Sequence, residues 1–312
     1  ADVFAENLPP GQAERWGLGY EQMKEVNPKI IYCSVSGFGH TGPDSKLAAF
    51  DPIAQARSGF MLTTGFPDRE PVRAGPCVGD MVPALYAVIG ILAALRYRDK
   101  TGNGQWIDIS MLDSLFSFVA TEPMEAYDAY GFSQRAGNKM YRTAPVNAYK
   151  TGDGGYVTLS VIPIGRAYPD FLKAIERENL AINPKFDTLW HRIQNTDELD
   201  SEIEKWTSQH TTGEVLQRLR KFQIPSEKVT ESISELLDDA QLKARHMIVD
   251  LEHPKLGKTG FKAAGMPIKF SGIEAEYDKV APYTGQHTDE VLSSLLGYSE
   301  RDLDKLRERG VI

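Results

Sequence analysis

Cysteine and histidine are scarce in this 312-residue sequence, which contains two cysteines, Cys33 and Cys77, and six dispersed histidines. Two cysteines do not make a disulfide framework, and such sparse usage is typical of a reducing compartment. No His-x-x-x-His pair, and no close grouping of His, Cys and carboxylates, has metal-ligand spacing. The sequence therefore predicts no metal and a cytoplasmic location.

Positive charge is also in short supply, because 35 Lys and Arg stand against 43 Asp and Glu and give a net charge of -8. A chain without a basic patch lacks the electrostatic footprint of a nucleic-acid binder, so nucleic acid is not expected as a partner. The longest uncharged apolar run, 81–95, is too short to cross a bilayer, and the first four residues do not resemble a signal peptide. We therefore expect no membrane partner and interpret 81–95 as a core helix.

Three common catalytic and nucleotide-binding motifs are missing. The sequence contains no Gly-x-Gly-x-x-Gly run that opens a helix, no Gly-x-x-x-x-Gly-Lys-Ser/Thr loop and no Gly-x-Ser-x-Gly turn. The sequence thus lacks the usual motifs of NAD-dependent enzymes, nucleoside triphosphatases and serine hydrolases, and no NAD cofactor is expected.

The first half of the sequence alternates short β-rich runs with helical patterns, which indicates an α/β fold. The run 29–36 predicts a strand that ends in the turn Gly37-Phe38-Gly39. Such turns lie at the carboxyl ends of strands in open α/β sheets, where glycine lets the backbone approach a ligand. Helices are predicted over 13–26, over 48–59 and from Met111 onward, with a further strand at 105–110.

Composition changes over 123–142, where Tyr, Gly and charged residues replace the apolar helices, and we predict a linker there. The run 148–160 then predicts a hairpin around a glycine-rich turn. The domain prediction is a large domain at 1–122, the linker at 123–142, a small domain at 143–245 and a final segment at 246–312. Further elements are predicted as helices at 168–176, 197–209, 212–222, 288–296 and 300–309 and strands at 248–254 and 266–271.

Asp80 places a carboxylate directly before the apolar run. Unpaired backbone N–H groups and the helix macrodipole favour an anion on the first turn of a helix. Asp80 is therefore either an N-cap, which is the commonest role of Asp at a helix start, or a nucleophile. Asp51 likewise suits the cap of the helix at 48–59, with Pro52 in its first turn.

Seven short motifs, taken together, resemble the class III CoA-transferases of the CaiB/BaiF type, which include formyl-CoA transferase, carnitine CoA-transferase and acyl-CoA racemases. Each motif alone is weak, but all seven occur in the family's order across the whole chain. The matching stretches are 1–11 with Arg15, 27–32 with 36–43, 50–51 with 55–56, 78–80, 101–105, 251–254 and 285–290.

The resemblance implies that Asp80 is a nucleophile that attacks an acyl-CoA thioester, forms a mixed anhydride and releases CoA thiolate. The acyl group and CoA are then exchanged with an acceptor carboxylic acid. A helix N-terminus suits this chemistry, because its N–H groups are expected to hold the developing oxyanion. Asp51 falls beside the active site in the family and is the second predicted catalytic residue.

The resemblance also implies where coenzyme A binds. The cofactor lies on a Rossmann-like large domain, and a guanidinium such as that of Arg15 suits its phosphates. The predicted CoA-binding residues are Asn7, Leu8 and Arg15 at the nucleotide, and Gly37, Phe38, Gly39 and Phe50 along the remainder of the cofactor.

Phe50 occupies the position at which racemases of the family carry a histidine acid/base. A racemase needs two proton-transfer groups, and Phe cannot move a proton, so a transferase is favoured over a 2-methylacyl-CoA racemase. A catalytically inactive fragment or scaffold is the third alternative. Formyl-CoA transferase closes its site with a run of glycines, where this sequence has 135–139, so the acceptor acid stays open.

The family architecture is an interlocked homodimer in which each chain threads through the other, with the active site near the subunit boundary. In that architecture a smaller α+β domain follows the large domain, and the final segment, 246–312, packs back on the large domain. Family members open with a strand-helix-strand segment, so the N-terminal part of the large domain is expected to be absent here. Whether this chain alone binds CoA stays open.

Overall fold

A three-stranded parallel sheet organises the first part of the chain in the computed structural model, which describes residues 1–253, 257–273 and 281–312. The strands are β1 (Val3–Glu6), β2 (Ile31–Ser36) and β3 (Gln105–Ser110), in the order β1-β2-β3. β2 lies in the middle and is almost entirely buried, as its run of β-branched and aromatic residues predicts. Both predicted strands, β2 and β3, are confirmed.

Helices connect these parallel strands, because a parallel pair needs a crossover connection. The predicted helix over 13–26 is two helices, since Gly17 adopts a left-handed conformation with φ of 74° between them. The predicted helix over 48–59 is confirmed with shorter bounds, because Phe50 is extended and only the next residue begins the helix. The helices are α1 (Gln12–Arg15), α2 (Tyr20–Val26), α3 (Asp51–Arg57), α4 (Phe60–Thr63), α5 (Val78–Thr101), α6 (Met111–Val119) and α7 (Met124–Ala129).

Helix α5 differs most from the sequence-based expectation. Its apolar face is exposed in the described part of the chain, with Leu85 64% and Ile89 62% exposed, so the prediction of a core helix is wrong. The length argument is wrong too, because the helix extends beyond 81–95 at both ends to 24 residues. It is the one described helix long and apolar enough to cross a membrane, with 17% of its most apolar window buried. A helix that packs against another protein surface meets the same criterion.

An antiparallel sheet organises the next part of the chain. Strands β4 (Val146–Lys150) and β5 (Tyr156–Ser160) form the predicted hairpin, and β6 (Ser226–Lys228) pairs with β5. The predicted helices of this part are confirmed with shifted ends, and the predicted linker contains α7. The helices packed on this sheet are α8 (Ala167–Ala174), a 3-10 helix (Glu178–Ile182), α9 (Leu189–Gln194), α10 (Thr196–Thr207) and α11 (Thr212–Lys221).

The described chain divides into two compact units, 1–229 and 230–312. In the second unit, β7 (Ile248–His253) is confirmed, whereas the predicted strand at 266–271 is wrong. The sequence reasoning missed β8 (Gly257–Ala264), because its two left-handed glycines and exposed lysines hide the alternation of a strand. Pro254 of the sixth motif lies outside the described residues. The remaining helices are α12 (Ile233–Asp238), α13 (Ala240–Ala244), α14 (Thr288–Leu296) and α15 (Glu300–Glu308).

Candidate active site

Asp80 is the third residue of α5, and its side chain is exposed. The N-cap is Cys77, and no side chain caps the helix end locally, so the interpretation of Asp80 as a cap is wrong. The cause is that the helix begins two residues before Asp80. Within the described ranges, no hydrogen bond or ion pair engages the Asp80 carboxylate. An exposed, uncommitted carboxylate on the first turn of a helix is available to react with a ligand.

The first four N–H groups of α5 are all hydrogen-bonded inside the protein. The expectation that they hold an oxyanion is therefore wrong for this conformation, because each donor already has an acceptor. The macrodipole of the helix still favours negative charge at this end. In chain order, Val78 N–H donates to Pro76 O at 2.9 Å, Gly79 N–H to Asp51 Oδ1 at 2.8 Å, and Asp80 and Met81 N–H to Cys77 O at 3.1 and 3.0 Å.

Asp51 is the first residue of α3 and is buried, with 5% of its surface exposed. It does not cap its own helix, whose N-cap is Phe50; instead, its Oδ1 accepts from Gly79 N–H and so caps α5. Gln55 Nε2 donates to both Asp51 carboxylate oxygens, at 2.8 and 2.9 Å. The sequence reasoning listed Gln55 within a motif but missed it as a site residue. The signal was the i, i+4 spacing from Asp51, which places both side chains on one helix face.

The structure brings the two predicted catalytic carboxylates together. One side-chain atom from each of Asp51, Cys77 and Asp80 lies within 4.8 Å of the others. Exposed acidic groups of this kind commonly occur without an ion, and Asp51 already accepts three hydrogen bonds. The absence of a metal stays a prediction.

The two cysteines lie in opposite environments. Cys33 is fully buried in β2, and burial, with a smaller contribution from the nearby Glu6 charge, raises the pKa of its thiol. Cys33 is therefore an inert core residue, since the thiolate is the reactive form. Cys77 is exposed at the start of α5, next to the candidate nucleophile.

The predicted CoA-binding residues follow the carboxyl ends of neighbouring parallel strands. Asn7 is exposed directly after β1, and the turn Gly37-Phe38-Gly39 follows β2. Leu8 N–H donates to the Glu6 carboxylate at 2.6 Å. This edge of an open parallel sheet is where ligands of α/β proteins bind. Arg15 is exposed at the end of α1, where its guanidinium donates to the Gln12 side chain.

Gly37 and Gly39 are required by local packing. A Cβ on Gly37 would lie 2.3 Å from the Cβ of Ala49, and Gly39 has a left-handed φ of 80°. The turn therefore lies tightly against the segment that leads into α3. The glycines bring the β2 edge and the Asp51 helix close together.

A cleft of about 490 Å³ lies beside this turn, between it and α3. The Arg57 guanidinium donates a hydrogen bond to the Asp44 carboxylate at 2.5 Å and lies 5.7 Å from the centre of the Phe38 ring. Phe50, one residue before α3, is 77% exposed. The cleft thus combines apolar walls with one cation, and its lining residues are Phe38, Leu47, Ala48, Ile53, Ala56 and Arg57.

Comparison with known proteins places this chain in a family. Residues 1–288 match the model of CoA-transferase family III. The chain is 33% identical over 311 residues to succinyl-CoA–D-citramalate CoA-transferase of Chloroflexus aurantiacus, across 100% of this chain and 76% of that protein. It is 34% identical over 328 residues to formyl-CoA:oxalate CoA-transferase of Streptomyces coelicolor, across 100% of this chain and 78% of that protein.

Solved structures agree with this match. A crystal structure of a CaiB/BaiF family protein from Brucella suis superposes with a TM-score of 0.78 at 33% identity, covering 95% of this chain and 75% of that chain. The predicted mixed α/β fold with a parallel sheet is confirmed. The exposed carboxylate on a helix end, the glycine turn at the sheet edge and the whole-chain match agree with the seven sequence motifs, and the chain belongs to CoA-transferase family III.

Proposed function

We propose that this protein moves CoA between an acyl-CoA thioester and a carboxylic acid, with Asp80 as the nucleophile. The observation that supports this most directly is the exposed Asp80 carboxylate, which no other group engages among the described residues. Its position on the first turn of α5 places it in the favourable field of the helix dipole. The chain also belongs to CoA-transferase family III, and transfer of CoA is the reaction for which that family is named.

The first half of the reaction uses the Asp80 carboxylate in two steps. An Asp80 oxygen attacks the thioester carbonyl carbon, the carbon–sulfur bond breaks, and CoA leaves as the thiolate while an acyl-aspartyl anhydride forms. The thiolate then attacks the aspartyl carbonyl carbon, which releases the donor acid as a carboxylate and leaves an aspartyl-CoA thioester.

The second half reverses these steps with the acceptor. The acceptor carboxylate attacks the aspartyl thioester and forms a second anhydride, from which CoA thiolate takes the acceptor acyl group and regenerates Asp80. Every nucleophile and leaving group is an anion, so no step transfers a proton. Phe50, at the position where racemases of the family carry a histidine acid/base, is therefore compatible with this reaction.

Coenzyme A is proposed to bind along the carboxyl edge of the parallel sheet. Asn7, Leu8 and Arg15 are proposed at its nucleotide part, and the Phe38 turn and Phe50 along the remainder. The cleft between the turn and α3 supplies apolar walls and the Arg57 guanidinium, and guanidinium groups form charge-assisted hydrogen bonds with phosphate.

Trapping with hydroxylamine tests the nucleophile. Incubation of the purified protein with acyl-CoA and hydroxylamine is expected to convert Asp80 to a hydroxamate, detected by peptide mass spectrometry. Asp80→Ala is expected to abolish the label and turnover while leaving the thermal unfolding midpoint nearly unchanged, because Asp80 caps nothing. A label that persists in Asp80→Ala would overturn the assignment.

The racemase and scaffold alternatives give different results. A racemase exchanges the α-proton of a 2-methylacyl-CoA with solvent deuterium in the absence of any acceptor acid, whereas a transferase requires the acceptor for net turnover. Phe50 lacks an exchangeable proton, and the Asp51 oxygens are held by Gln55 and Gly79. Deuterium uptake without an acceptor would favour the racemase, and the absence of both activities would favour the scaffold.

We further propose an interlocked homodimer located in the cytoplasm. The exposed apolar side chains of α5 recur on one face and form a patch of the kind that marks a protein interface. A second copy of the chain is proposed to cover them. These side chains are Met81, Leu85, Val88, Ile89 and Leu92.

Sedimentation velocity tests this assembly. Leu85→Glu is expected to lower the fraction of dimer formed when the protein is produced, because a carboxylate in an apolar interface is strongly unfavourable and hinders assembly of the two chains. Ile182→Glu, at a position that is 84% exposed in the part of the chain built on the antiparallel sheet, is the matched control and should leave the dimer intact. Dimerisation unaffected by Leu85→Glu would contradict the proposal, as would flotation of the wild-type protein with lipid vesicles.

A further inference from the structure

Gln55 lies at the centre of a closed hydrogen-bond network behind Asp80. It is fully buried, with 0% of its surface exposed. Its Nε2 donates to both oxygens of Asp51, at 2.8 and 2.9 Å, and its Oε1 accepts from Ala74 N–H at 2.9 Å. The amide nitrogen and the amide oxygen of Gln55 therefore both have partners inside the protein, as expected of a structural residue rather than a ligand-binding group.

The network joins three segments of the chain. Gln55 and Asp51 belong to α3, Ala74 belongs to the loop before α5, and Gly79 N–H, on the first turn of α5, donates to Asp51 Oδ1 at 2.8 Å. These bonds hold the loop and the first turn of α5 against one helix. Asp80 is the residue that follows Gly79, so the network fixes the backbone from which its side chain extends.

The contact at Gly79 leaves no room for adjustment. A Cβ built on Gly79 would lie 2.9 Å from Asp51 Oδ1 and 3.0 Å from both the Cα and the carbonyl oxygen of Asp51. The backbone of α5 therefore rests directly on Asp51. A displacement of Asp51 is transmitted to Gly79, and through it to Asp80, without an intervening flexible side chain.

The charges in the site point to the same role. The carboxylates of Asp51 and Asp80 lie within the 4.8 Å grouping described above, and like charges at this separation repel. Three hydrogen bonds fix Asp51 in place, whereas Asp80 is held only through its backbone. Asp51 is therefore constrained, and Asp80 is left free to react.

We propose that Gln55 is a positioning residue for acyl transfer: by orienting Asp51, it fixes the Gly79 backbone and thereby the attack geometry of Asp80. Asp51 then acts as a structural acceptor and not as a proton-transfer group. This inference rests on the proposed function, in which Asp80 is the nucleophile. A misplacement of about 1 Å at a reacting group lowers the rate on the order of 100-fold.

A reciprocal exchange of the two side chains provides the test. Gln55→Glu removes the donor to Asp51 and places two carboxylates against each other. Asp51→Asn removes the buried charge and turns one acceptor of the network into a donor. In the double variant Asp51→Asn/Gln55→Glu, the new amide at position 51 donates to the new carboxylate at position 55 and accepts from Gly79 N–H. That carboxylate in turn accepts from Ala74 N–H, so the network is complete with reversed polarity.

Quench-flow measurement of the first turnover distinguishes a misplaced Asp80 from a loss of folded protein. The protein is mixed with excess acyl-CoA, labelled in the acyl group, and without acceptor, and release of the labelled acid is followed. The burst amplitude counts competent sites, whereas the rate constant reports the chemistry of each competent site. A variant that only destabilises the fold lowers the amplitude and leaves the rate constant unchanged.

Each single variant is expected to lower the burst rate constant on the order of 100-fold with little change in KM, and the double variant to return it to within about fivefold of wild type. Ser58→Ala is the matched control, because the buried Ser58 hydroxyl donates to the Gln55 backbone carbonyl at 3.3 Å outside the network. Its rate constant should equal that of wild type.

Two results would overturn the positioning role. A rate constant unchanged in Gln55→Glu would make the network merely structural, and a double variant no faster than Asp51→Asn would assign chemistry to the Asp51 carboxylate itself. Asp80→Ala separates this inference from the proposed function. A burst that persists in Asp80→Ala contradicts the nucleophile, whereas a burst lost in Asp80→Ala but unchanged in Gln55→Glu contradicts only the role of Gln55.

Discussion

The region built on β4, β5 and β6 and the region that contains the candidate active site bury apolar surface in different ways. Helices α8 to α11 enclose a continuous core on β4 and β5 that includes Phe171, Leu199 and Leu219, all fully buried. In the region of the candidate site, the corresponding cluster among the described residues contains three buried side chains, Ala54, Met111 and Leu115, with partly buried neighbours. The first region completes its core within one chain, whereas the second exposes the apolar face of α5. Stability and assembly are therefore expected to respond separately to mutation.

The largest effect is expected from Phe171→Ala in the antiparallel-sheet region. Removal of a fully buried phenylalanine leaves a cavity and should lower the free energy of unfolding by about 3–5 kcal/mol. Urea denaturation measures the loss. Ile182→Ala, at an 84% exposed position of the same region, should change it by less than about 0.5 kcal/mol. Similar losses at both positions would contradict a self-contained core.

A smaller loss is expected in the site region from Gly79→Ala. The added Cβ overlaps Asp51, and overpacking of this kind costs about 1–3 kcal/mol. The same substitution should slow acyl transfer, because it pushes Asp80 away from α3. Thermal unfolding and initial rates measure the two effects.

Gly213→Ala is the matched control for this variant. Gly213 lies in α11, and its added Cβ meets nothing within 4 Å. A stabilisation of about 0.4–1 kcal/mol is expected there, because alanine reduces the freedom of the unfolded chain. If Gly79→Ala and Gly213→Ala changed the stability by the same amount, the close contact between α3 and α5 would be contradicted.

A loss of about 1 kcal/mol is expected from Thr211→Ala. Thr211 caps α11 and, with Glu214, forms a capping box in which each side chain bonds the backbone of the other residue. Denaturant titration measures the change, and Thr211→Ser should retain most of the stability. A serine variant as unstable as the alanine variant would show that the hydroxyl is not the stabilising group.

The smallest expected effect is a dependence of the free energy of unfolding on pH, caused by Asp200 in the antiparallel-sheet region. Burial raises the pKa of this carboxyl above 3.8, although the Tyr149 hydroxyl and the Asn147 amide donate to it at 2.6 and 2.7 Å. The folded state therefore holds the proton to higher pH than the unfolded state, and stability decreases as pH rises from 3.8 through the raised pKa.

Asp200→Asn removes this titration. The free energy of unfolding of the variant minus that of wild type should therefore increase with pH across this range and become constant above it. Parallel urea titrations of both proteins at a series of pH values from about 3.5 to 7 measure the difference. A difference that is independent of pH would contradict the raised pKa.

Local sequence patterns predicted elements well where one interaction decides the structure. The β-branched run of Ile31–Ser36 and the glycine-rich turn of the β4–β5 hairpin gave correct strands, because burial and turn chemistry act over a few residues. The prediction over 13–26 was wrong in detail, since the helical periodicity continues across Gly17 while its left-handed backbone ends the first helix. Periodicity did not reveal β8, because its residues are mostly exposed and do not alternate between apolar and polar.

At the candidate site, too, the sequence predicted some features and not others. The motif order indicated the family, and both the proposed nucleophile, Asp80, and the second carboxylate, Asp51, lie within those motifs. The roles of the two carboxylates depended on contacts across 28 residues, since Asp51 accepts from Gly79 on another helix. Gln55 gave a signal only through its spacing from Asp51, and the sequence does not show which backbone groups those side chains reach.

The order of residues along the chain was sufficient to establish the α/β class, the family and the chemical types at the site, because these follow from composition, local periodicity and short motifs. Three-dimensional packing was needed to establish that Asp80 is exposed and uncommitted, that Asp51 caps α5 instead of its own helix, and that the apolar face of α5 lies outside the core. Those properties arise from contacts between segments distant in the chain, and burial and hydrogen-bond partners exist only once the segments meet.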